Sequence, residues 1–177
     1  MTIWIALWYS VVVTKERRVS SADLLSIASA QGLAEPRTVL STGNLIFTAN
    51  GRRADLEARL ERETHRQLGR EINVFCRTAA EWRRLVSENP FPAESALQPA
   101  EVAVRVMRQM PGPELLERMA AAALPEQRFA ATPSGLWLYS PKELPPGRLL
   151  SAVGSAWAGE GTFRSASSIG KVAAALG

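Results

Sequence analysis

The chemistry open to this chain is narrow, because the side chains that usually carry catalysis are scarce. It has one His, His65, and one Cys, Cys76. Ser-His-Asp and Cys-His nucleophilic catalysis would both have to run through His65. That residue falls on the polar side of an Arg- and Glu-rich helical stretch, with Glu61 one turn earlier, and an exposed helical pair explains it. Cys76 sits beside Phe75 in a strand-like run and reads as a buried, inert thiol. One Cys excludes a disulfide within the chain, and one Cys plus one His cannot supply the three or four ligands of a zinc site. Glu57 and Glu61 lie one helical turn apart and could share a site, but among so many Arg residues they read as a solvated face. There is no Gly-x-x-x-x-Gly-Lys-Ser/Thr phosphate loop and no Cys-x-x-Cys. Gly159-Glu160-Gly161 precedes a short strand and reads as a helix stop and turn.

The most suggestive polar segment is the turn Ser41-Thr42-Gly43-Asn44. A tight turn presents backbone N–H groups and short polar side chains, which together can hold an anion. The same residues are also those a turn needs for backbone reasons, since Gly and Asn tolerate positive φ. Trp137 and Tyr139 share one face of a strand by period two, and exposed sheet aromatics can stack single-stranded RNA. The aromatic signature of RNA-recognition sheets is missing, so packing or a subunit contact is the expected use.

These residues must be positioned by a chain of 177 residues, 46% hydrophobic and 21% charged, a composition that excludes a disordered chain. The net charge is +4 and the sequence pI about 9.8. Of the 21 basic residues only Lys15, Lys142 and Lys171 are lysine. Acidic residues are interspersed throughout, so no basic arm of the kind that grips nucleic acid is present. The apolar start, residues 1–13, has no basic leader and is shorter than the ~20 residues a membrane span needs, so a buried first strand in a cytoplasmic protein is expected.

Alternation and β-branched residues predict strands at Ile3–Val13, Arg37–Leu40, Leu45–Thr48, Ile72–Arg77, Val102–Met107, Arg128–Ala131, Leu136–Tyr139 and Thr162–Arg164. Helical spacing predicts helices from Ser20 or Ser21 to Gln31, with Leu24, Leu25, Ile27 and Ala28 inward, and over 53–68. Another opens at a Thr78–Glu81 capping box with Trp82, Leu85 and Val86 inward. Further helices are expected over Glu114–Ala123 and 146–158, and from Ser167 or Ser168 to Leu176. Three Pro mark 89–99 as a linker, which divides the chain into 1–88 and 100–177. Slid along itself without a gap, the sequence lays Arg37 on Arg128, Leu45 on Leu136, Phe47 on Leu138, Ile72 on Phe163 and Leu85 on Leu176. Each half reads β-α-β-β-α-β plus one helix. The expected fold is therefore α+β: two tandem ferredoxin-like units, each with an extra helix, packed as one compact molecule.

Several segments together resemble a bacterial family, the domain-of-unknown-function family 1697, built from tandem ferredoxin-like units. The matching positions are Ala6, Leu7, Val13, Val19, Ala22, Asp23 and Leu24, then Thr42-Gly43-Asn44-Leu45-Ile46-Phe47. Arg77-Thr78-Ala79-Ala80-Glu81, Asn89-Pro90-Phe91-Pro92 and Thr162 to Ile169 complete the set. The departures lie in the polar motifs. The family's Arg-Gly-x-Asn segment is Tyr9, Ser10 and Val12 here, its Gly-Gly is Thr14-Lys15, and its Asn-Trp-Asn-Thr is Ser165-Ala166-Ser167-Ser168. Thr162 and Arg164 remain. The resemblance implies the fold and no established activity.

The expected function is a non-enzymatic, cytoplasmic module that binds a small ligand or a protein partner, with a homodimer as a further expectation. Lys15, Thr42, Gly43, Asn44 and Arg164 are the candidate ligand-binding residues. No catalytic residue, metal or cofactor is expected, and neither a membrane nor nucleic acid is the expected partner. Two alternatives stay open. One is an enzyme on a phosphorylated or acidic small molecule, with Arg164, Lys15 and the Gly43-Asn44 turn as anion contacts. The other is a single-stranded nucleic-acid binder.

Overall fold

The computed structural model describes residues 1–9, 19–41, 43–144, 149, 152–153 and 159–177. The far end of the first predicted strand, Lys15, Thr42 and most of the predicted 146–158 helix lie outside them. Of that helix Leu149, Ala152 and Val153 are described, and they are helical. The chain forms two compact units. The first comprises Met1–Arg84 and Lys171–Gly177, the second Leu85–Gly170.

In the first unit the order is β1 (Thr2–Trp8), α1 (Ser21–Ala30), β2 (Ala34–Thr38), β3 (Asn44–Ala49), α2 (Arg53–Leu68) and β4 (Val74–Thr78). The strands make an antiparallel sheet in the order β2-β3-β1-β4. In the second unit β5 (Val102–Met107), α5 (Pro113–Ala122), β6 (Arg128–Thr132), β7 (Gly135–Tyr139) and β8 (Gly161–Ser165) follow the same course, with sheet order β6-β7-β5-β8. Both orders are the split-βαβ, ferredoxin-like arrangement. Helix α3 (Ala79–Ser87) leaves β4 directly, α6 (Ala166–Ala174) leaves β8 directly, and α4 (Pro92–Leu97) precedes β5. Thus the 89–99 segment carries a short helix. Pro92 starts it at a position where a missing N–H costs nothing, and the Asn89 side chain accepts from the Phe91 N–H at 2.9 Å.

Period two explains the core. Trp4, Ala6 and Trp8 of β1 pack with Leu45 and Phe47 of β3, Cys76 of β4 and the apolar faces of α1 and α2. The alternate residues Ile5, Leu7 and Ile46 are buried as well, so the central strands β1 and β3 are apolar on both faces, and Phe75 of β4 is buried beside them. In the second unit Met107, Leu136 and Leu138 pack with Leu115, Met119, Leu149 and Val153. Leu24, Ile27 and Ala28 of α1 point inward as expected, but Leu25 is exposed, because its position in the turn carries it off the buried stripe. Val86 is likewise on the outer side of α3, whereas Trp82 and Leu85 are buried.

Helix starts follow the strand ends. Ser20 caps α1 in a reciprocal box with Asp23. Thr78 and Glu81 form the expected box on α3, the Thr78 N–H donating to Glu81 at 2.8 Å and the Glu81 N–H to Thr78 Oγ1 at 3.2 Å. On α6 the cap is Ser165, whose Oγ accepts from the Ser168 N–H at 3.3 Å, and neither Ser167 nor Ser168 plays that part. The last residue of the strand caps in both halves, which moves the start of the last helix ahead of the sequence-based expectation.

The polar face of α2 is not uniformly solvated. Glu57 and Glu63 are buried. The Cys76 N–H donates to Glu57 Oε1 at 2.7 Å and the Val74 N–H to Glu61 Oε1 at 2.9 Å. Four residues of helix rise about 6 Å and two of strand about 6.6 Å, so carboxylates one turn apart meet alternate outward N–H groups of β4. This satisfies donors on an edge strand that pairs only with β1. Burial, and then the Glu57 carboxylate, push the Cys76 thiol far above its ordinary range, which matches an inert thiol.

The register also corrects the self-overlay. Ile5 pairs with Ile46 and Arg77, and Val104 pairs with Trp137 and Arg164. The overlay of Leu45 on Leu136 and Phe47 on Leu138 stands, but the strand-four counterparts are Arg77 and Arg164, not Ile72 and Phe163. The stretch from β7 to β8 is shorter than that from β3 to β4, which breaks a gapless repeat.

Two predictions follow from this packing. A Cβ on Gly135 would lie 2.6 Å from Val104 Cγ2 and 3.2 Å from the Arg105 carbonyl. Val104 is β-branched and fully buried, so Gly135→Ala is expected to destabilise the second unit by about 1–3 kcal/mol in urea unfolding. An unchanged midpoint would refute the close approach. Hydrogen bonds from Arg66, and then from Gln67, hold the Glu63 carboxyl down from 4.5 to about 2. A carboxyl lowered on folding stabilises above its unfolded value and loses that contribution as pH falls through its folded one. The stability difference between wild type and Glu63→Gln should therefore be constant above pH 4.5 and shrink towards pH 2. A difference that stays constant across this window would contradict it.

Candidate functional site

The residues singled out by sequence occupy different settings. Gly43 has φ of 74°, and Leu40, three residues earlier, φ of 62°. The Gly43 carbonyl accepts from the Trp8 N–H at 3.0 Å. Asn44 is fully buried; its side-chain amide donates to the Val39 carbonyl at 3.0 Å, and the Val39 N–H donates back to the Asn44 carbonyl at 3.0 Å. Asn44 thus closes the β2–β3 turn with both its side chain and its backbone. Gly43 and Asn44 share this turn in the first unit, and Arg164 belongs to the second. Arg164 is 8% exposed, and its guanidinium donates to Thr162 Oγ1 at 2.8 Å and to the Phe163 carbonyl at 2.7 Å. Burial lowers its pKa to about 10. Its counterpart Arg77 does the same in the first sheet, donating to the Cys76 carbonyl at 2.8 Å, and burial lowers its pKa too.

His65 is exposed on α2, as its spacing implied. It lines an open groove with Glu61, Arg62 and Glu71. Among the described residues no group of three or more His, Cys, Asp or Glu could hold a metal ion. Trp137 is 1% exposed, and Tyr139 packs against Phe91 and the Arg128 guanidinium, so this pair presents no open stacking surface.

The geometry best suited to a ligand lies elsewhere, in the second unit. A cavity of about 520 Å³ opens where β5 and β6 begin and β7 ends. Its floor is apolar: Ala103, Leu138, Leu144 and Leu149, with Pro99 and Pro141 at its sides. Five side chains supply polarity: Gln98, Glu101, Gln127, Ser140 and Lys142. Strand register places three of them. Val102 pairs with Tyr139 and Arg128 with Tyr139, so the residues one step beyond, Glu101, Ser140 and Gln127, stand side by side. Period two puts them on the helix-covered face, in line with Ala103, Leu138 and Phe129. The Ser140 N–H donates to the Glu101 carbonyl at 3.0 Å. The Gln127 side chain donates to Ser140 Oγ at 2.9 Å and accepts from the Leu124 N–H at 3.0 Å. Glu101 Oε2 is buried and has no hydrogen-bond partner among the described residues. A buried carboxylate oxygen left so costs free energy that a bound donor would recover.

None of Glu101, Gln127 and Ser140 was marked by the sequence, and Lys142 was noted only as one of three lysines. Glu101 follows the Pro-rich stretch read as a linker, and Ser140-Pro141 reads as the end of a strand. A polar residue just outside each of three strands was the available signal. It becomes a site only when those strands pair.

The turn geometry gives a direct test. Asn44→Ala removes the donor to the Val39 carbonyl inside the core. It is expected to cost about 1–3 kcal/mol of stability in denaturant titration. Full retention of stability would return Asn44 to the list of surface-binding groups.

The comparisons with known proteins agree with this architecture. No curated protein matches the chain in sequence. A solved structure, that of a conserved bacterial protein from Streptococcus pneumoniae, superposes with a TM-score of 0.74, covering 99% of each chain at 17% identity. At that identity the likeness is one of fold. The model of the protein family of unknown function DUF1697 matches residues 1–137, and the chain belongs to that family.

Proposed function

We propose that this protein is a small-ligand-binding module and that its ligand occupies the second-unit cavity. The observation that carries the reading is the cavity itself: about 520 Å³, apolar in its floor, with a few convergent polar side chains at one end of a sheet. Ligand sites are of this size and composition, roughly 300–1,000 Å³ and mostly apolar with a handful of orienting groups. Each ligand methylene buried on Leu138, Leu144 and Leu149 would contribute about 0.8 kcal/mol. The polar groups sit on strand ends, where paired backbone holds them at fixed spacing, and a rigid scaffold of this kind reduces the ordering cost of binding. The alternative of anion contacts at the Gly43-Asn44 turn has less support, because Asn44 spends its amide on the Val39 carbonyl.

The test is to fill the cavity. Ala103 lies in its floor. With the neutral apolar fluorophore N-phenyl-1-naphthylamine as reporter, Ala103→Phe and the milder Ala103→Leu are expected to weaken binding, Phe by about tenfold or more. Near-ultraviolet circular dichroism identifies any variant that fails to fold. Equal binding by wild type and both folded variants would sink the proposal.

A further inference from the structure

The charges around the cavity say more about its occupant. Two of its lining side chains are charged, Glu101 and Lys142, and they are opposite in sign. Glu101 Oε2 is buried without a hydrogen-bond partner, and no partner for the exposed Lys142 ammonium is found among the described residues. Two of the neighbouring polar side chains are engaged with protein, Gln127 with the Leu124 N–H and with Ser140 Oγ, while Gln98 is uncharged. The carboxylate of Glu101 is therefore the charged acceptor among the described side chains that line this pocket.

Resting on the cavity being the binding site, we infer that its ligand is a small zwitterion with an apolar body, such as a free apolar amino acid or a short apolar peptide. Its ammonium pairs with Glu101 and its carboxylate with Lys142. The other charge types fit less well. A simple amine satisfies Glu101 but meets Lys142 as a like charge. A simple acid satisfies Lys142 but brings a second carboxylate towards Glu101. A neutral apolar molecule fills the floor and leaves the Glu101 oxygen without a charge-assisted bond. Only a molecule carrying both charges at separate ends, with hydrocarbon between or beside them, complements the whole lining. Such paired charges set orientation and selectivity more than gross affinity.

The experiment is isothermal titration calorimetry of the full chain with L-leucine, leucyl-leucine, isoamylamine, isovaleric acid and isoamyl alcohol. At least one of the two zwitterions is expected to bind about tenfold or more tighter than the amine, the acid or the alcohol. Glu101→Gln should weaken the zwitterion and the amine and spare the acid. Lys142→Met should weaken the zwitterion and the acid and spare the amine. Two results would overturn the inference: zwitterions bound no tighter than isoamyl alcohol, or zwitterion affinity unchanged by both variants, in which case the Glu101 oxygen holds only a water. The fluorophore separates this failure from that of the site. If N-phenyl-1-naphthylamine binds, is lost in the filled variants, and no zwitterion displaces it, the cavity stands as the site and the zwitterion falls. If the fluorophore does not bind either, both fall.

Discussion

Strand register is the constraint from which the rest of this molecule follows. In each sheet the two central strands are paired antiparallel, β1 with β3 and β5 with β7. Side chains alternate faces with a period of two, so a slip of one residue would turn every one of them over. In the first sheet such a slip would take Trp4, Ala6 and Trp8 off the helices that cover them. In the second, a slip of β5 against β7 would carry Glu101 and Ala103 to the opposite face from Leu138 and Ser140, and the cavity would lose its carboxylate. Core and candidate site are two consequences of one pairing.

The duplication is a duplication of framework. The two halves share the sheet order, the helix that leaves the fourth strand directly, the strand-end cap, and a buried Arg that donates to the carbonyl of the residue before it. They differ at the ends of the strands. Ile5 and Val104 correspond, each lying across from a buried Arg. Three residues before them stand Thr2 and Glu101, and the opposing partners are Ala49 and Ser140. At this pair of positions the first unit is uncharged and the second carries a carboxylate. Polar chemistry has been placed on one copy of a repeated scaffold.

Polar and charged residues inside the fold mostly serve edges and turns. Glu57 and Glu61 take up outward N–H groups of β4, Glu63 gathers Gln31, Arg66 and Gln67, and Asn44 closes its turn. Each of these satisfies a donor or acceptor that burial would otherwise leave costly. Against that pattern Glu101 Oε2 stands out: among the described residues the buried side-chain atoms without a hydrogen-bond partner are it and the nitrogens Trp4 Nε1, Arg53 Nε and Trp137 Nε1, and it alone of these is an acceptor oxygen lining a cavity.

The sequence alone determined what is local or periodic. Alternation marked the strands, the four-residue recurrence of Leu56, Leu60 and Thr64 marked α2, the Thr78–Glu81 box marked the start of α3, and the order of elements gave the two ferredoxin-like sheets. It also excluded a disulfide within the chain and a zinc site built from Cys and His, by the count of those residues. Only the tertiary structure decided which polar residues meet. Glu57 reads as solvated until β4 is laid beside α2, and Asn44 reads as a surface donor until the turn closes over it. Glu101, Gln127 and Ser140 come from three separate segments of the chain, and no spacing within any one segment foretells their contact. Local periodicity specifies the direction a side chain takes from its own backbone; what it encounters there depends on long-range pairing, which is set by the packing of the whole sheet.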